Sequence, residues 1–518
     1  MEWRKFKPFL FLLWIPLYAC NSQSLLSFTI SFDEAEDQRF HVQMEIPEWE
    51  GDTLELKMPG WMPGYYQYMH YAENVENFNF SVSGKPSNHW IHPSENVWEI
   101  YGIKGRPVKV TYDVLAERRF VANSFVDTSH AYIIPESAFL YIDNHLQLPV
   151  QIAINPLSTW PDVVTGLDPN PEIANVFTAQ NFDVLYDCPI LAGKLTEFPA
   201  FNVHGIPHRF FAYRPGTFDA SALMGDLKKV VTVATELIGD IPYHSYTFIG
   251  IGPGRGGIEH LNNTTVAFEG SQLQSESGRL RMLNFLAHEY FHHYNVKRIR
   301  PFELGPFDYD RGSKTNLLWI SEGLTVYYEY LTVRRAGLMN EIALLNQLAN
   351  NIKATEEDPG LPYQSLAQAS YATWQDGPFG GDNQAGDRAI SYYEKGPVVG
   401  LMLDFTIRHA TNNEQSLDDV MRHLYNRFYQ SAQRGFTDAE FQQTCEAIAG
   451  IPLDEFFEYI YTTKPLDYNR YLAYGGLRLH IKPREIDPSS NEYLLDFLPE
   501  RNELQRKIYN DWTRNASR

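Results

Sequence analysis

The segment His288-Glu289-Tyr290-Phe291-His292 constrains this chain more than any other part of its sequence. It lies in a helical pattern over about residues 279–296, and side chains four apart share one face of an α-helix, so both imidazoles can bind one metal ion. Glu289 is then held beside the metal, where its carboxylate can take a proton from a bound water. The segment predicts zinc-assisted hydrolysis of an amide. The alternative is a helix whose histidines make ordinary hydrogen bonds.

A third ligand is needed, because a catalytic zinc ion usually has three protein ligands and keeps one position for water. Glu322 is the candidate, since it lies in an apolar helical stretch where a carboxylate is costly unless it has a partner. A salt bridge to an arginine would also supply a partner, and Glu329 on the same helix competes for the role of ligand. His293 points about 100° away from His292 and is not expected to bind.

Two kinds of periodicity divide the rest of the chain. Residues 25 to about 195 contain short runs with period two, such as residues 40–46 and 108–112. Helical periodicity begins near residue 218 and dominates from about 275 to 465. The sequence therefore predicts a multidomain α+β chain in which an antiparallel β-sandwich precedes a mainly helical domain. The aromatic loop at residues 59–66 is expected to be buried, with contact to a ligand as the alternative.

Composition excludes some classes of function. The net charge of −21 offers no basic stripe to phosphates and argues against binding of nucleic acid. The glycine-rich turn at residues 252–257 lacks the Lys-Ser/Thr pair of a phosphate loop, so a nucleotide site is not expected. Cys188 and Cys445 do not define a disulfide framework, and we expect two buried free thiols. Lys297, Arg298 and Arg300 follow the motif helix, where positive charge suits the helix dipole.

The N-terminus has the pattern of a signal peptide over residues 1–19. Basic residues precede an apolar run at residues 9–18 that is too short to span a bilayer. Leu17-Tyr18-Ala19-Cys20 resembles a bacterial lipoprotein cleavage box, which implies a lipid anchor on Cys20 and a tether over residues 20–27. We therefore expect a protein held in the bacterial cell envelope, on the periplasmic or cell-surface side. A plain secretory signal cut nearby is the alternative.

Several long strings resemble the glycyl aminopeptidase family, which belongs to the thermolysin-like zinc peptidases, or gluzincins. They are residues 288–301, the loop at 302–309 and the helix at 319–328. Residues 59–66 resemble that family's N-terminal β-domain, and residues 461–468 resemble the end of its catalytic domain. The resemblance implies a β-domain over residues 28–195 followed by a thermolysin-like catalytic domain over residues 196–468.

The resemblance assigns roles to residues of the motif. It implies that His288, His292 and Glu322 bind one zinc ion per chain. It also implies that Glu289 acts as general base and then as the acid that protonates the leaving amine.

Similarity to the wider gluzincin aminopeptidases adds substrate-binding residues. Gly256-Gly257-Ile258-Glu259-His260 resembles a strand whose glutamate pairs with the substrate's free α-amine, and such a strand edge can pair with substrate backbone. Here His260 stands where those enzymes have Asn. Tyr393, in Tyr393-Glu394-Lys395-Gly396, resembles the tyrosine that hydrogen-bonds the tetrahedral oxyanion. The neighbouring Tyr392 is the alternative for that role.

The end of the chain departs from the family pattern. Many members carry a PDZ domain after the helical region, and only about 40 residues follow Gly476 here, too few for one. We expect residues 469–518 to form a charged tail with a helix near residues 500–512.

These observations together predict a zinc aminopeptidase that removes N-terminal residues from peptides. A preference for Gly or Ala comes from the resemblance alone. One alternative is an endopeptidase on the same zinc site. Another is a surface lipoprotein that binds peptide or glycan without catalysis. The sequence leaves the oligomeric state open.

Overall fold

The computed structural model describes residues 25–377, 388–483 and 491–514. The predicted signal peptide, Cys20 and most of the predicted tether lie outside the described residues. Cys188 and Cys445 are both buried and unpaired, as expected. Among the described residues, no helix combines the length and the apolar character that crossing a bilayer requires.

The N-terminal region is built almost entirely of β-strands, as predicted. A long sheet has the strand order β14-β15-β12-β1-β2-β8-β4-β5, and two smaller sheets have the orders β13-β16-β10-β9 and β11-β3-β7-β6. The strands are β1 (Leu26–Ser31), β2 (Arg39–Ile46), β3 (Thr53–Lys57), β4 (Val75–Val82), β5 (Lys85–Ser87), β6 (Trp90–Ser94), β7 (Val97–Tyr101), β8 (Val108–Leu115), β9 (Phe125–Asp127), β10 (His130–Ile133), β11 (Tyr141–Ile142), β12 (Val150–Asn155), β13 (Asp162–Thr165), β14 (Asp168–Pro169), β15 (Val176–Ala179) and β16 (Ile190–Gly193).

Alternation of burial explains why these runs form sheets. In β2, every second side chain is buried, and Phe40, Val42 and Met44 are inaccessible to solvent. The pairing is antiparallel except between β1 and β12, which run parallel in register from Leu26–Val150 to Ser31–Asn155. The strictly antiparallel sandwich predicted from the sequence is therefore corrected at this pair, because alternation within a strand does not specify the direction of its neighbour.

A second mixed sheet begins the next region and ends in the strand that resembles a substrate-binding edge. Its order is β17-β19-β20-β22-β21, with β18 also paired to β19. The strands are β17 (Leu195–Glu197), β18 (Phe201–Val203), β19 (Ile206–Tyr213), β20 (Tyr246–Gly250), β21 (Gly257–Glu259) and β22 (Asn263–Val266). Because β21 lies at one end of this order, it pairs with β22 alone among the described strands, and its other edge has no strand partner there.

Helices make up most of the remainder, as predicted. After the short α1 (Phe182–Tyr186) in the β-region they are α2 (Ala220–Ile238), α3 (Glu276–Phe291), α4 (Leu324–Arg335), α5 (Glu341–Glu356), α6 (Leu366–Asp376), α7 (Tyr392–Ala410), α8 (Leu417–Leu424), α9 (Asp438–Ala449), α10 (Asp454–Tyr461), α11 (Tyr468–Leu472) and α12 (Glu503–Thr513). A π-helical turn, Trp319–Gly323, leads directly into α4.

The C-terminal segment is packed against the helices. Strands β23 (Leu477–Pro483) and β24 (Asn491–Phe497) form a hairpin, and α12 follows it. Trp512 on α12 is fully buried, contacts Phe405 edge-to-face, and donates a hydrogen bond from its indole nitrogen to the Tyr327 hydroxyl at 2.8 Å. The predicted helix near residues 500–512 is present, and its apolar side completes the helical core.

Candidate metal centre and substrate cleft

Helix α3 places the two motif histidines beside each other. Ser275 caps the start of the helix, and its hydroxyl accepts a hydrogen bond from the Gly278 backbone at 3.0 Å. It ends at Phe291, so the predicted extension to residue 296 is wrong, and His292 is its C-cap. The Nε2 atoms of His288 and His292 lie 2.9 Å apart.

Glu322 completes the group from the π-helical turn. Its Oε2 atom lies 3.1 Å from His292 Nε2 and 3.5 Å from His288 Nε2. The three ligand atoms are buried and lie within 4.8 Å of one another. The Asn295 amide holds the turn in place by donating to the Ile320 carbonyl at 2.7 Å and to the Thr325 hydroxyl at 3.0 Å. Turns of this π type are frequent at functional sites.

Hydrogen bonds at the outer ring nitrogens fix which atoms are left for a metal. His292 Nδ1 lies 2.8 Å from the Asn295 carbonyl, which only accepts, so this nitrogen carries the proton and Nε2 keeps its lone pair. His288 Nδ1 donates in the same way to the Glu329 carboxylate at 2.9 Å. Glu329, the competing ligand, thus lies behind His288, in the position that orients a metal-binding histidine.

This donor set fits zinc. Two unprotonated nitrogens and a carboxylate facing one point within 3.5 Å repel one another unless a cation lies between them. Two histidines with one glutamate are the ligands of a known class of catalytic zinc site.

Glu289 packs against the edge strand. A side chain at Gly257 would overlap the Glu289 carboxylate, so the backbone of β21 and this carboxylate are in direct contact. Glu289 Oε2 is buried and has no hydrogen-bond partner among the described residues. Burial raises the pKa of Glu289 to about 8.

Glu259 lies at the far end of the same strand, under the aromatic loop. It is buried, and its Oε1 atom has no hydrogen-bond partner within the described residues. Gly64 covers it so closely that an added Cβ would lie 3.0 Å from Oε2, and the φ of +99° at Gly64 also favours glycine. An unpaired buried carboxylate on an edge strand is well placed to receive a cationic group of a ligand.

An ion-pair network that sequence reasoning missed anchors the end of β21. Asp187 accepts a hydrogen bond from the Leu261 backbone at 2.6 Å, lies 3.3 Å from His260 Nδ1, and pairs with Lys297 Nζ at 2.5 Å. Arg298 donates to the carbonyls of His293 and Leu261 at 2.7 and 2.9 Å. The prediction that Lys297 and Arg298 act on the α3 dipole is therefore wrong, because the chain turns away before them. No local sequence signal marked Asp187, which lies far away in the chain.

Of the two adjacent tyrosines, Tyr393 faces the cleft. Its ring stacks over His288 with the centroids 6.2 Å apart, and its hydroxyl hydrogen-bonds the Glu322 carboxylate. Burial, reinforced by Glu322, raises the pKa of Tyr393 well above its ordinary value. The Tyr392 hydroxyl instead hydrogen-bonds Thr373 at 2.9 Å. The structure thus separates the two alternatives by position.

A cleft of about 710 Å³ reaches His288, Glu289 and Tyr393. The aromatic loop closes one side with Gly64, Tyr65 and Tyr66, while its Trp61 is buried and donates to the Asp308 carbonyl at 2.7 Å. The loop is therefore buried in part, as expected, and in part lines the cleft. Gly256, Gly257, His288, Glu289 and Tyr393 also line it, together with Arg255 and Arg281, which sequence reasoning did not select.

Comparison with known proteins agrees with this geometry. Residues 27–194 match the Peptidase M61 N-terminal domain, and residues 281–399 match the M61 glycyl aminopeptidase domain. The structure is similar to an aminopeptidase N family protein from Idiomarina loihiensis, with a TM-score of 0.83, 26% identity, and coverage of 88% of this chain and 79% of that one. No match was found among curated proteins.

More distant structures share the fold alone. An M1 zinc metallopeptidase from Deinococcus radiodurans aligns with a TM-score of 0.54 and 12% identity, over 86% of this chain and 94% of that one. A mutant of that enzyme, bound to a Tyr-Ser-Ala substrate, aligns with a TM-score of 0.53 and 12% identity, over 85% of this chain and 94% of that one.

Proposed function

Because the chain belongs to the M61 glycyl aminopeptidase family and is a metallo-aminopeptidase, we propose that it removes single small residues, Gly or Ala, from peptide N-termini. In this proposal His288, His292 and Glu322 hold one zinc ion. When bound, zinc supplies a Lewis acid that lowers the pKa of a water and polarises the scissile carbonyl. The preference for small residues rests on the family alone.

The chain's own residues move the protons and place the substrate. Glu289, with its unpaired Oε2, takes a proton from the attacking water and later delivers it to the leaving amine. The Tyr393 hydroxyl donates a hydrogen bond to the oxygen that becomes negative in the transition state. The backbone of Gly256 and Gly257, at the free edge of the sheet, aligns the peptide.

The main support for the proposal is the distance between Glu259 on β21 and the point of β21 that the Glu289 carboxylate contacts. Glu289 contacts the strand at Gly257, and Glu259 lies two residues further on. In an extended strand that separation is about 7 Å, roughly the length of one substrate residue with its amine. A peptide whose ammonium group pairs with Glu259 therefore presents its first peptide bond to Glu289, which makes the cut an N-terminal one.

Blocked and free peptides test this proposal. We expect the zinc-loaded protein to hydrolyse Ala-Ala-Ala and to cleave its N-acetyl form at least about 10²-fold more slowly, because acetylation removes the charge that Glu259 binds. A chelator should abolish the hydrolysis. Equal rates on the two peptides would favour the endopeptidase alternative, for which no observation speaks at present. A panel of aminoacyl amides would then rank the first residue.

The location of the enzyme is a separate proposal that rests on the N-terminal sequence. We propose that Cys20 is lipidated and holds the enzyme at the bacterial cell envelope, where it meets peptide substrates. Cys20→Ser should abolish incorporation of labelled fatty acid and release the protein from the membrane fraction. Unchanged membrane retention and labelling of that variant would exclude the anchor.

A further inference from the structure

Two arginines, Arg255 and Arg281, line the cleft. Arg255 is in the glycine-rich turn before β21, and Arg281 is on α3, seven residues before His288. Within the described residues, neither guanidinium group has an ion-pair or hydrogen-bond partner. Both side chains are exposed, and in a chain with a net charge of −21 two cations without an anionic partner on one cleft can receive an anionic ligand.

The order of Arg255, Gly257 and Glu259 along the chain indicates which end of a bound peptide would approach the arginines. Glu259 marks the site of the substrate's amine, Gly257 contacts the base Glu289, and Arg255 comes two residues earlier on the same chain. Along the chain, Arg255 therefore comes before the contact with the base and Glu259 comes after it, and their Cα atoms are at most about 14 Å apart. On α3, Arg281 lies two turns from His288 on the same face, a separation of about 10 Å.

The remaining polar groups of the cleft do not compete for these arginines. The carboxylates that line it are Glu289, which packs against Gly257, and Glu329, which accepts a hydrogen bond from His288. Neutral amides also line the cleft, among them Asn284, whose buried Oδ1 has no partner among the described residues. A carboxylate that reaches the arginines therefore meets positive charge and uncharged donors.

We propose that Arg255 and Arg281 bind a carboxylate on the leaving-group side of the substrate, and that the preferred substrates are free peptides of about three to five residues, a length that spans Glu259 to Arg255. Guanidinium groups recognise carboxylates through paired hydrogen bonds. The inference rests on the proposed direction of binding. A C-terminal carboxylate is the expected source, and an acidic side chain near the C-terminus offers the same chemistry.

The test measures binding, so that it does not depend on turnover. Zinc-loaded Glu289→Gln protein is titrated with Ala-Gly-Gly, with its C-terminal amide, and with Ala-Gly-Asp amide. We expect the free acid to bind about tenfold more tightly than the amide at low salt, and the ratio to fall as ionic strength rises. Tighter binding of the Asp amide would identify the side chain as the source. Equal binding of all three peptides would overturn the proposal.

Variants assign the effect to the two arginines. In the double variant Arg255→Ala/Arg281→Ala, the ratio between acid and amide should approach one, while Arg106→Ala, an exposed arginine of the β-region outside the cleft, should keep it. A ratio that survives the double variant would place the carboxylate elsewhere and contradict the assignment. Failure of the proposed aminopeptidase activity is distinguishable, because it would appear as no turnover by wild-type protein whatever the binding ratio.

Discussion

Glu322 and Glu329 are two carboxylates on one helical segment that contact different atoms of the motif histidines. Seven residues apart, they lie on nearly the same face of the helix, and both approach His288. Glu322 faces the Nε2 atoms of both histidines. Glu329 contacts only His288, from whose protonated Nδ1 it accepts a hydrogen bond. The first is placed to bind the metal and the second to orient a ligand, a division that depends on ring geometry.

Tyr393 provides a prediction at the residue scale. Tyr393→Phe removes the hydroxyl that we place on the oxyanion, and we expect kcat to fall roughly 10²-fold to 10³-fold with little change in KM. Tyr392→Phe is the matched control, since its hydroxyl bonds Thr373 away from the cleft. Steady-state kinetics on Ala-Ala-Ala measures both. A larger loss in the Tyr392 variant than in the Tyr393 variant would reverse the assignment.

At the scale of single residues, the sequence was sufficient to predict those site residues that a local pattern marks. His288, Glu289 and His292 follow from helical periodicity, and Glu322 follows from the cost of a carboxylate in an apolar helix. Asp187 could not be found, because it acquires its role through contacts with a distant segment. Arg255 and Arg281 could not be found either, because only the fold brings them to one cleft. Gly64 is a similar case, since only the fold brings it over Glu259.

At the scale of elements, the crossing of α7 over the π-helical turn positions Tyr393, the proposed oxyanion donor. Gly396 of α7 and Gly323 of the turn meet backbone to backbone, and a Cβ on Gly396 would lie 2.5 Å from the Gly323 Cα. Because Glu322 precedes Gly323 and Tyr393 lies one turn before Gly396, this contact sets the separation of the ligand from the tyrosine. Two small residues are therefore required where the elements cross.

Gly396→Ala tests that requirement. The added methyl group forces the two backbones apart, so we expect unfolding to become easier by about 1–3 kcal/mol and kcat to fall at least about tenfold as Tyr393 moves. Gly225→Ala is the control, because Gly225 lies on α2 with open space around its Cβ, and alanine there should stabilise by about 0.5–1 kcal/mol. Denaturant titration and kinetics report both effects. Wild-type kinetics in the Gly396 variant would contradict the role of the crossing.

The sequence predicted whether most elements are helices or strands, but it predicted their first and last residues less well. Period-two runs identified strands such as β2 and β8, and helical periodicity identified α2 to within two residues of its start. The end of α3 at Phe291 was missed, because the following residues also have helical character in the sequence, and the fold uses them in tight turns and in the Asp187 network. Strand β21 was found by resemblance, since three residues carry no usable period.

At the scale of the whole molecule, the β-region and the helical region share side chains across their boundary. Trp61 and Tyr66 of the aromatic loop pack within the helical core, and Tyr309 packs within the β-core. Lys57 pairs with Asp310 at 2.8 Å, and the Tyr309 hydroxyl donates to Asp183 at 2.7 Å. The cleft is built at this boundary, so its shape depends on both regions being folded together.

Buried neutral histidines make the stability of the molecule depend on pH. Burial lowers the pKa of His130 in the β-region and of His208 in the helical region, each to about 4. The unfolded chain takes up a proton near pH 6.5, so below that pH protonation favours unfolding, and the stability each group contributes is lost as pH falls towards 4. We expect roughly 2 kcal/mol per histidine between pH 7 and pH 5.

Urea unfolding at the two pH values measures this prediction. His208→Gln should lose its share of the difference in unfolding free energy, because no imidazole remains to be protonated next to the Tyr243 hydroxyl. His244→Gln, at an exposed position, should keep the whole difference. An unchanged pH dependence in the His208 variant would show that this histidine is not held neutral by the fold.

The central claim is that zinc at His288, His292 and Glu322 acts together with Glu289 as the base. It is tested most directly by kcat/KM of zinc-loaded Glu289→Gln protein on Ala-Ala-Ala, with the zinc content of the same sample determined. We predict one zinc ion per chain and a loss of at least about 10²-fold in kcat/KM, because the amide cannot take the proton of the attacking water. Near-normal hydrolysis by the zinc-loaded variant would contradict the account.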